Sequence, residues 1–297
     1  MPEVVRRTPA RRQTVWAALL RKEWCEQRWR FFLSTVVLGG LLAGLLRAQV
    51  IPSLEAATLI YGPVGLVLVI FLAAGPVAAE RADRTWEFLI AQPVSRSQVV
   101  LAKWAMGVFQ LAGTMVIATI AGLLALESRG FRIMPRAPEF YGQNPAEAFM
   151  VWGATHPALS LCLFAAVGTI AMVCWFTPLC LLLMRARNEF TAVLGGLLVT
   201  IALLLWLGQF HYISSAIPSG QTFTFWQSIH IGDIDSVLAW VAVLNPLSPL
   251  VLILVPDYLY FLLLLLALLV DVVIWIVLPL WCARRNSGRL IEKWMGA

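Results

Sequence analysis

The residue that most invites chemistry is a single carboxyl group inside a long apolar stretch. Asp271 lies near the middle of the stretch 258–281, which is otherwise rich in Leu, Val and Ile. A charge at the bilayer centre costs about 2.5–3.5 kcal/mol on the insertion scale, and the surrounding apolar side chains offset that cost. We therefore expect the segment to insert, with Asp271 facing the protein interior or a water-filled cavity. Gln110 or Thr114 is the suggested partner of Asp271 if the third span is adjacent. Two roles remain open: Asp271, Gln110 and Thr114 are candidate polar residues of a transport path, or Asp271 only makes a packing hydrogen bond between helices.

The sequence lacks the other arrangements that carry catalysis or bind metals and nucleotides. Its three histidines, His156, His211 and His230, do not have the spacing of metal ligands. The phosphate-binding pattern G-x-x-x-x-G-K-[ST] is absent. An intramembrane enzyme would need a second carboxyl, a His cluster or a serine with a base at membrane depth, which Asp271 alone does not provide. We therefore predict no catalytic residue, metal or cofactor on this chain.

The elements that must position these side chains are membrane-spanning helices. Hydrophobic residues make up 60% of the chain and charged residues 13%, against about 25% charged in ordinary domains, which excludes a soluble globular protein. A helix needs about 20 apolar residues to cross about 30 Å of hydrocarbon. Stretches of this kind lie at 31–46, 57–79, 99–126, 157–184, 190–210, 237–255 and 258–281. The pattern predicts an all-α integral membrane protein.

The orientation of the spans follows from the basic residues. An Asn-Pro-Leu-Ser-Pro run at 245–249 interrupts the stretch 237–255, so we predict a re-entrant helical segment there and six spans elsewhere. Of the 22 basic residues, only Arg47, Arg129, Arg132 and Arg136 then fall outside. This asymmetry predicts a multi-pass cell-membrane protein with both termini cytoplasmic, an outer loop at 127–155 and a cytoplasmic tail at 282–297. The excess positive charge of +6 then faces anionic membrane lipid, and no nucleic acid partner is needed.

Residues 1–30 predict a helix before the first span. Trp16, Leu20 and Trp24 recur at four-residue spacing, with basic residues largely to one side, as in a helix lying at the membrane interface. Glu23 and Gln27 fall on the apolar side of this pattern. A cytoplasmic helix leading into a longer first span is therefore the alternative.

The loop at 80–98, between the second and third spans, is more apolar than a cytoplasmic loop needs to be. Trp86 and Phe88 stand among charged residues ahead of Pro93, which predicts a short helix across the loop. Ser95 and Gln98 then form S-x-x-Q, a capping box that begins the third span. Such a helix either transmits a push from a partner or merely closes a connection, and the pattern alone leaves both open.

These residues resemble a family motif. Glu80, the run T-W-E-F-L at 85–89, P-V-S-R at 93–96 and Lys103 are similar to the pattern E…T-x-E-x-L…P-x-S-R…K of type 2 ATP-binding cassette transporter permeases. The amino-terminal helix, the six spans and the run at 245–249 agree with that family. The resemblance implies a coupling helix that docks on a separate ATP-binding cassette subunit. The implied docking residues are Glu80, Arg81, Thr85, Trp86, Glu87, Phe88, Leu89 and Arg96.

The resemblance also implies a function. Residues 1–297 would form one permease domain of an exporter that moves an unidentified substrate, with ATP and Mg bound by the partner subunit and a second permease copy or paralogue completing a dimer. The outer loop at 127–155 is longer than the family leads us to expect. The alternatives are a stand-alone secondary carrier and a scaffold in a membrane complex. A carrier would favour equivalent helix breaks in both halves, and those at 62–63 and 245–246 are not clearly equivalent.

Overall fold

The fold is known from a computed structural model of the chain. It describes residues 9–48, 56–57, 59–82, 95–128, 156–183, 190–191, 193–202, 245 and 258–285. Across these ranges the architecture is all-helical, without a strand, which confirms the predicted class.

Six helices are labelled here in chain order. They are α1 (Pro9–Ala48), α2 (Gly65–Ala82, after a π-helical turn at Ile60–Val64), α3 (Arg96–Glu127), α4 (Pro157–Leu183), α5 (Val193–Ala202) and α6 (Tyr258–Asp271, continued by a π-helical turn at Val272–Val277 and by helix to residue 285). Within the described ranges, four helical stretches are long and apolar enough to cross a membrane: Trp16–Ala48, Ser97–Glu127, Pro157–Leu183 and Leu265–Arg285. Shorter apolar helices at Ile60–Ala74 and Val193–Ala202 lie within the second and fifth predicted spans.

The amino-terminal segment is part of the first long helix. Residues 9–48 form one continuous helix of 40 residues, so a separate interfacial helix before the first span is not what the structure shows. The alternative interpretation, a helix leading into a longer first span, matches it. The physical reason is that Glu23 and Gln27, on the side predicted to be apolar, are buried against α3 instead of facing a membrane surface.

The first and third spans run side by side in the same direction. Glu23 lies beside Lys103, and further along both helices the hydroxyl of Thr35 lies 3.4 Å from that of Thr114. Because the residue numbers of the contacts increase together along α1 and α3, the two helices are parallel. Their axes approach closely because α3 presents small residues: a Cβ added to Gly122 would lie 3.0 Å from the side chain of Leu42.

The fourth helix runs antiparallel to the third. The indole of Trp104, near the start of α3, bonds Thr177 near the end of α4, whereas Gly122 near the end of α3 approaches Leu161 near the start of α4. Gly107 makes the tightest of these approaches, since a Cβ there would overlap the ring of Phe176. The helices are therefore in direct contact one turn beyond Lys103.

The second span begins with a bend. Gly62 leaves the helical region at φ −100° and ψ −105°, and Pro63 follows it inside the π-helical turn. This confirms the kink predicted from the Gly-Pro pair, since proline removes a helix donor and clashes with the preceding turn. The neighbouring Tyr61 is buried and bonds the hydroxyl of Thr119 on α3. Because Thr119 donates its own proton to the carbonyl of Met115, Tyr61 is the donor in this pair.

Candidate functional site

A buried ion pair joins α1 to α3 at the end of the bundle where both helices begin. The Nζ atom of Lys103 lies 3.0 Å from Oε1 of Glu23, and the two side chains are 1% and 2% exposed. Gln27 donates from Nε2 to the other carboxylate oxygen of Glu23, at 3.1 Å. Each oxygen of the carboxylate thus has a donor. We call these three residues, Glu23, Gln27 and Lys103, the Glu23–Lys103 cluster.

The local sequence explains how the cluster forms. Glu23 and Gln27 are four residues apart, so they lie on one face of α1, one turn above each other. Lys103 lies in the second turn of α3, whose start is fixed by the predicted capping box: the amide of Ser95 donates to Oε1 of Gln98 at 3.1 Å. The cap therefore sets the position from which Lys103 reaches α1.

An exposed rim of charge borders the cluster. Lys22 pairs with Glu26 at 3.1 Å, with side chains 27% and 33% exposed, and lies 3.7 Å from Glu23. Exposed pairs of this spacing contribute little to stability, about 0.3–0.5 kcal/mol. The buried pair is different, because removing one of its members leaves a charge without its partner in the interior, at a cost of about 3–5 kcal/mol.

Two further polar contacts join neighbouring helices. The guanidinium of Arg30 on α1 donates to the backbone carbonyl of Phe71 on α2 at 3.1 Å and lies 5.1 Å from the centre of the Phe71 ring. The indole of Trp104 donates to the hydroxyl of Thr177 at 3.0 Å, which joins α3 to α4. Both helices that flank the family motif, α2 and α3, are thus bonded to α1.

Most of the predicted docking residues lie outside the described part of the chain. This applies to Thr85, Trp86, Glu87, Phe88 and Leu89. Glu80 and Arg81 belong to the last turn of α2, and Arg96 is the first residue of α3. The structure thus brings the flanks of the motif to the end of the bundle that holds the Glu23–Lys103 cluster.

Other predicted segments also fall outside the described residues. They are the re-entrant segment 237–255 apart from the buried Asn245, the outer loop beyond Ser128 as far as residue 155, and the tail beyond Arg285.

Asp271 is buried without a polar partner. Its side chain is 1% exposed, and neither carboxylate oxygen has a hydrogen-bonding partner among the residues that the structure describes. Cys174 of α4 lies within electrostatic range. Directly after Asp271 the helix changes to the π-helical turn Val272–Val277, a distortion that occurs frequently at functional sites.

The suggested hydrogen bond from Asp271 to Gln110 or Thr114 is not formed. Within the described part of the chain, α6 packs mainly against α4, whereas Gln110 and Thr114 belong to α3. Gln110 is fully buried, and its amide atoms also have no partner in the described ranges. Thr114 is buried beside Thr35. The three residues predicted to line a transport path are therefore all in the interior but do not form one hydrogen-bonded site.

Sequence analysis missed the pairing of Glu23 with Lys103, although it carried a signal. The two polar residues on the apolar side of the amino-terminal pattern are the two that are buried in the cluster.

Among the described residues there is no group of three or more His, Cys, Asp or Glu that could hold a metal ion. No protein-family model matches the chain, and no curated protein matches it.

Proposed function

We propose that the chain is the membrane-spanning permease subunit of an ATP-driven exporter. One observation carries the proposal: the two helices that flank the docking motif, α2 and α3, are each joined to α1 by a buried or half-buried charged side chain, at Arg30 and at Glu23. A loop mounted on such a base can pass a displacement to the spans, whereas a loop that merely closes a connection does not need one. The motif itself and the buried cluster beneath it thus support the same function.

In this proposal the chain has six spans, namely the four long helical stretches and the two spans that contain α2 and α5. The protein lies in the cell membrane, and both of its termini are cytoplasmic. A separate ATP-binding cassette subunit holds ATP and Mg and docks on residues 80–96. A second permease copy or paralogue packs beside the first. The face of α1 that carries Gly40 and Gly44 supports this pairing, because a Cβ at either position meets nothing within 4 Å and small-residue faces allow helix backbones to approach closely.

The mechanism requires no covalent chemistry on this chain. The partner shifts the permease between inward- and outward-facing states only to the extent that it binds them unequally. Nucleotide-driven closure of the partner supplies this difference, and the loop with its two flanking helices transmits it. The substrate crosses between the two permease subunits.

The docking loop provides the direct test. In the Trp86→Glu/Phe88→Glu variant, the affinity-purified chain should lose the ATPase subunit and the ATP hydrolysis that co-purifies from native membranes. Buried aromatic hot spots contribute about 2 kcal/mol or more each, which is roughly a thirtyfold loss of affinity per residue. The matched control is Phe131→Glu/Phe140→Glu in the predicted outer loop, which should keep both. A docking variant that retains the ATPase subunit at the wild-type ratio would contradict the proposal.

One observation favours a second candidate, a proton- or cation-linked secondary carrier. A buried carboxyl group without a polar partner suits a site that binds and releases protons, and Asp271 has no hydrogen-bonding partner among the described residues. Transport driven by a pH gradient without ATP in vesicles of the purified chain would favour the carrier. Transport that stops when ATP is withheld would favour the exporter.

A further inference from the structure

We propose that Glu23 is a positioning residue, which with Lys103 fixes the register of α1 against α3 and so makes the docking loop and the first span move as one body. The inference rests on the proposed function only for the source of the motion. The register itself is a property of this chain alone.

The first step is that the contact between Glu23 and Lys103 requires a particular geometry. Lys103 approaches one carboxylate oxygen of Glu23 at 3.0 Å while Gln27 donates to the other at 3.1 Å. Charge-assisted hydrogen bonds depend on both distance and angle. The cluster therefore forms in one alignment of α1 and α3.

The second step is that the rest of the interface specifies its alignment less strictly. Beyond the cluster, α1 meets α3 mainly through apolar side chains on small residues, with Phe31 over Gly113 and Leu42 over Gly122, and through the Thr35 and Thr114 hydroxyls, 3.4 Å apart. Dispersion and hydrophobic contacts have no preferred direction, so they oppose a change of alignment less than the buried ion pair does. An alignment that separates Glu23 from Lys103 breaks a charge-assisted contact between two buried side chains, which is strongly unfavourable.

The third step is that α1 holds both flanks of the loop. Arg30 follows Glu23 by seven residues, about two turns, and binds the carbonyl of Phe71 on α2. The helices that enter and leave residues 83–94 are thus both attached to α1, α2 at Phe71, eleven residues before its end, and α3 at Lys103. A displacement that moves α2 and α3 must carry α1 with it, as long as the register holds.

The experiment measures the register in the full-length chain in lipid nanodiscs. Genetically encoded spin-labelled residues replace Ala18 on α1 and Val116 on α3, both exposed, and leave the five cysteines in place. These positions are far apart along the helix axes, so sliding changes their separation almost fully. Three labelled chains are compared by pulsed electron paramagnetic resonance. The first keeps both Glu23 and Lys103 and is called the unmodified pair. The other two are Glu23→Leu/Lys103→Met and the charge swap Glu23→Lys/Lys103→Glu.

The apolar double variant separates register from stability. Replacing a buried ion pair by apolar residues of similar volume is often neutral or stabilising, so the fold should persist while the directional contact is lost. We expect one narrow distance for the unmodified pair and for the charge swap. The Leu/Met variant should add a second population shifted by about one helical turn, roughly 5.4 Å. One unchanged narrow distance in the Leu/Met variant would overturn the inference. If that variant does not fold, Glu23→Gln/Lys103→Met provides the same comparison.

A second measurement distinguishes this inference from the proposed function. The distance between the same two labels is measured in the complex of the chain with its ATPase subunit, with and without Mg and ATP. A nucleotide-dependent shift in the unmodified pair that disappears in the Leu/Met variant supports both. No shift in the unmodified pair contradicts the exporter and leaves the register result from the chain alone standing.

Discussion

Two of the buried ionisable side chains differ in one respect. Lys103 in α3 and Asp271 in α6 are both 1% exposed, but Lys103 has a carboxylate 3.0 Å away, whereas neither oxygen of Asp271 has a hydrogen-bonding partner in the described part of the chain. A paired buried charge holds two helices in one arrangement. A buried charge without such a partner does not hold two helices together. The comparison teaches that burial alone does not mark a functional residue, and that the lack of a partner is the more informative property.

The chain accommodates the two groups in different ways. The desolvation of Lys103 is offset locally by Glu23 and Gln27. The desolvation of Asp271 is offset by the apolar side chains of its span. Of these, Leu266, Leu269 and Val273 are exposed, as side chains that face lipid would be. We therefore expect changes at Lys103 to act on stability and register, and changes at Asp271 to act on function.

The largest effect is expected from Lys103→Met. Removing the ammonium leaves Glu23 buried with only part of its hydrogen bonding, which should cost about 3–5 kcal/mol of unfolding free energy. Equilibrium unfolding of the purified chain in detergent measures it. The matched control is Lys22→Met, which removes an exposed partner of Glu26 and should cost no more than about 1 kcal/mol. Equal losses in the two variants would mean that the buried pair is not special.

The next effect comes from Gly107→Ala, one turn beyond Lys103. The added Cβ would overlap the ring of Phe176, so α3 and α4 must separate or the ring must move, at about 1–3 kcal/mol. Gly195→Ala in α5 is the control, because a Cβ there meets nothing within 4 Å among the described residues and alanine favours the helix by up to about 1 kcal/mol. The same unfolding measurement applies. A neutral Gly107→Ala variant would show that the helices beside the cluster are packed too loosely for Lys103 to be held in place.

Local chemistry made part of this structure predictable. The start of α3 follows from Ser95 and Gln98, and the bend before α2 follows from Gly62 and Pro63, because caps and proline act on the residues next to them. The apolar stretches identified the long helices for the same reason. Each of these features is decided within a few residues of sequence.

The contacts between helices were not predictable in the same way. Glu23 and Lys103 are 80 residues apart, and their meeting depends on α1 running parallel to α3. The wrong partners were suggested for Asp271 because the sequence does not state which helix lies beside the last span. A polar residue that breaks an amphipathic pattern, as Glu23 does, was the one local sign of a distant partner.

A smaller effect is expected from Tyr61→Phe. The change removes the hydrogen bond from the Tyr61 hydroxyl to Thr119 and should cost about 0.5–1.5 kcal/mol, the usual contribution of a neutral hydrogen bond. Thr169→Val is the control, since among the described residues the Thr169 hydroxyl bonds the carbonyl of Ala165 in its own helix, a contact that does not stabilise a helix. A Tyr61→Phe variant as destabilised as Lys103→Met would show that charge does not distinguish the Glu23–Lys103 cluster from other buried polar contacts.

The smallest effect on stability should come from Asp271→Asn. The two side chains have nearly the same volume, and the Asp271 carboxyl has no hydrogen bond to a described residue to lose, so the free energy of unfolding should change by no more than about 1 kcal/mol. Function should respond instead. If Asp271 binds and releases a proton during transport, the pH dependence of ATP hydrolysis by the purified complex should be lost in Asp271→Asn and kept in the control Glu127→Gln at the end of α3. A loss of 3 kcal/mol or more would instead reveal a partner for Asp271 as close as the one Lys103 has, and the distinction between the two buried charges would disappear. Unchanged stability with unchanged activity at every pH would leave the distinction in place and remove the proton-linked role.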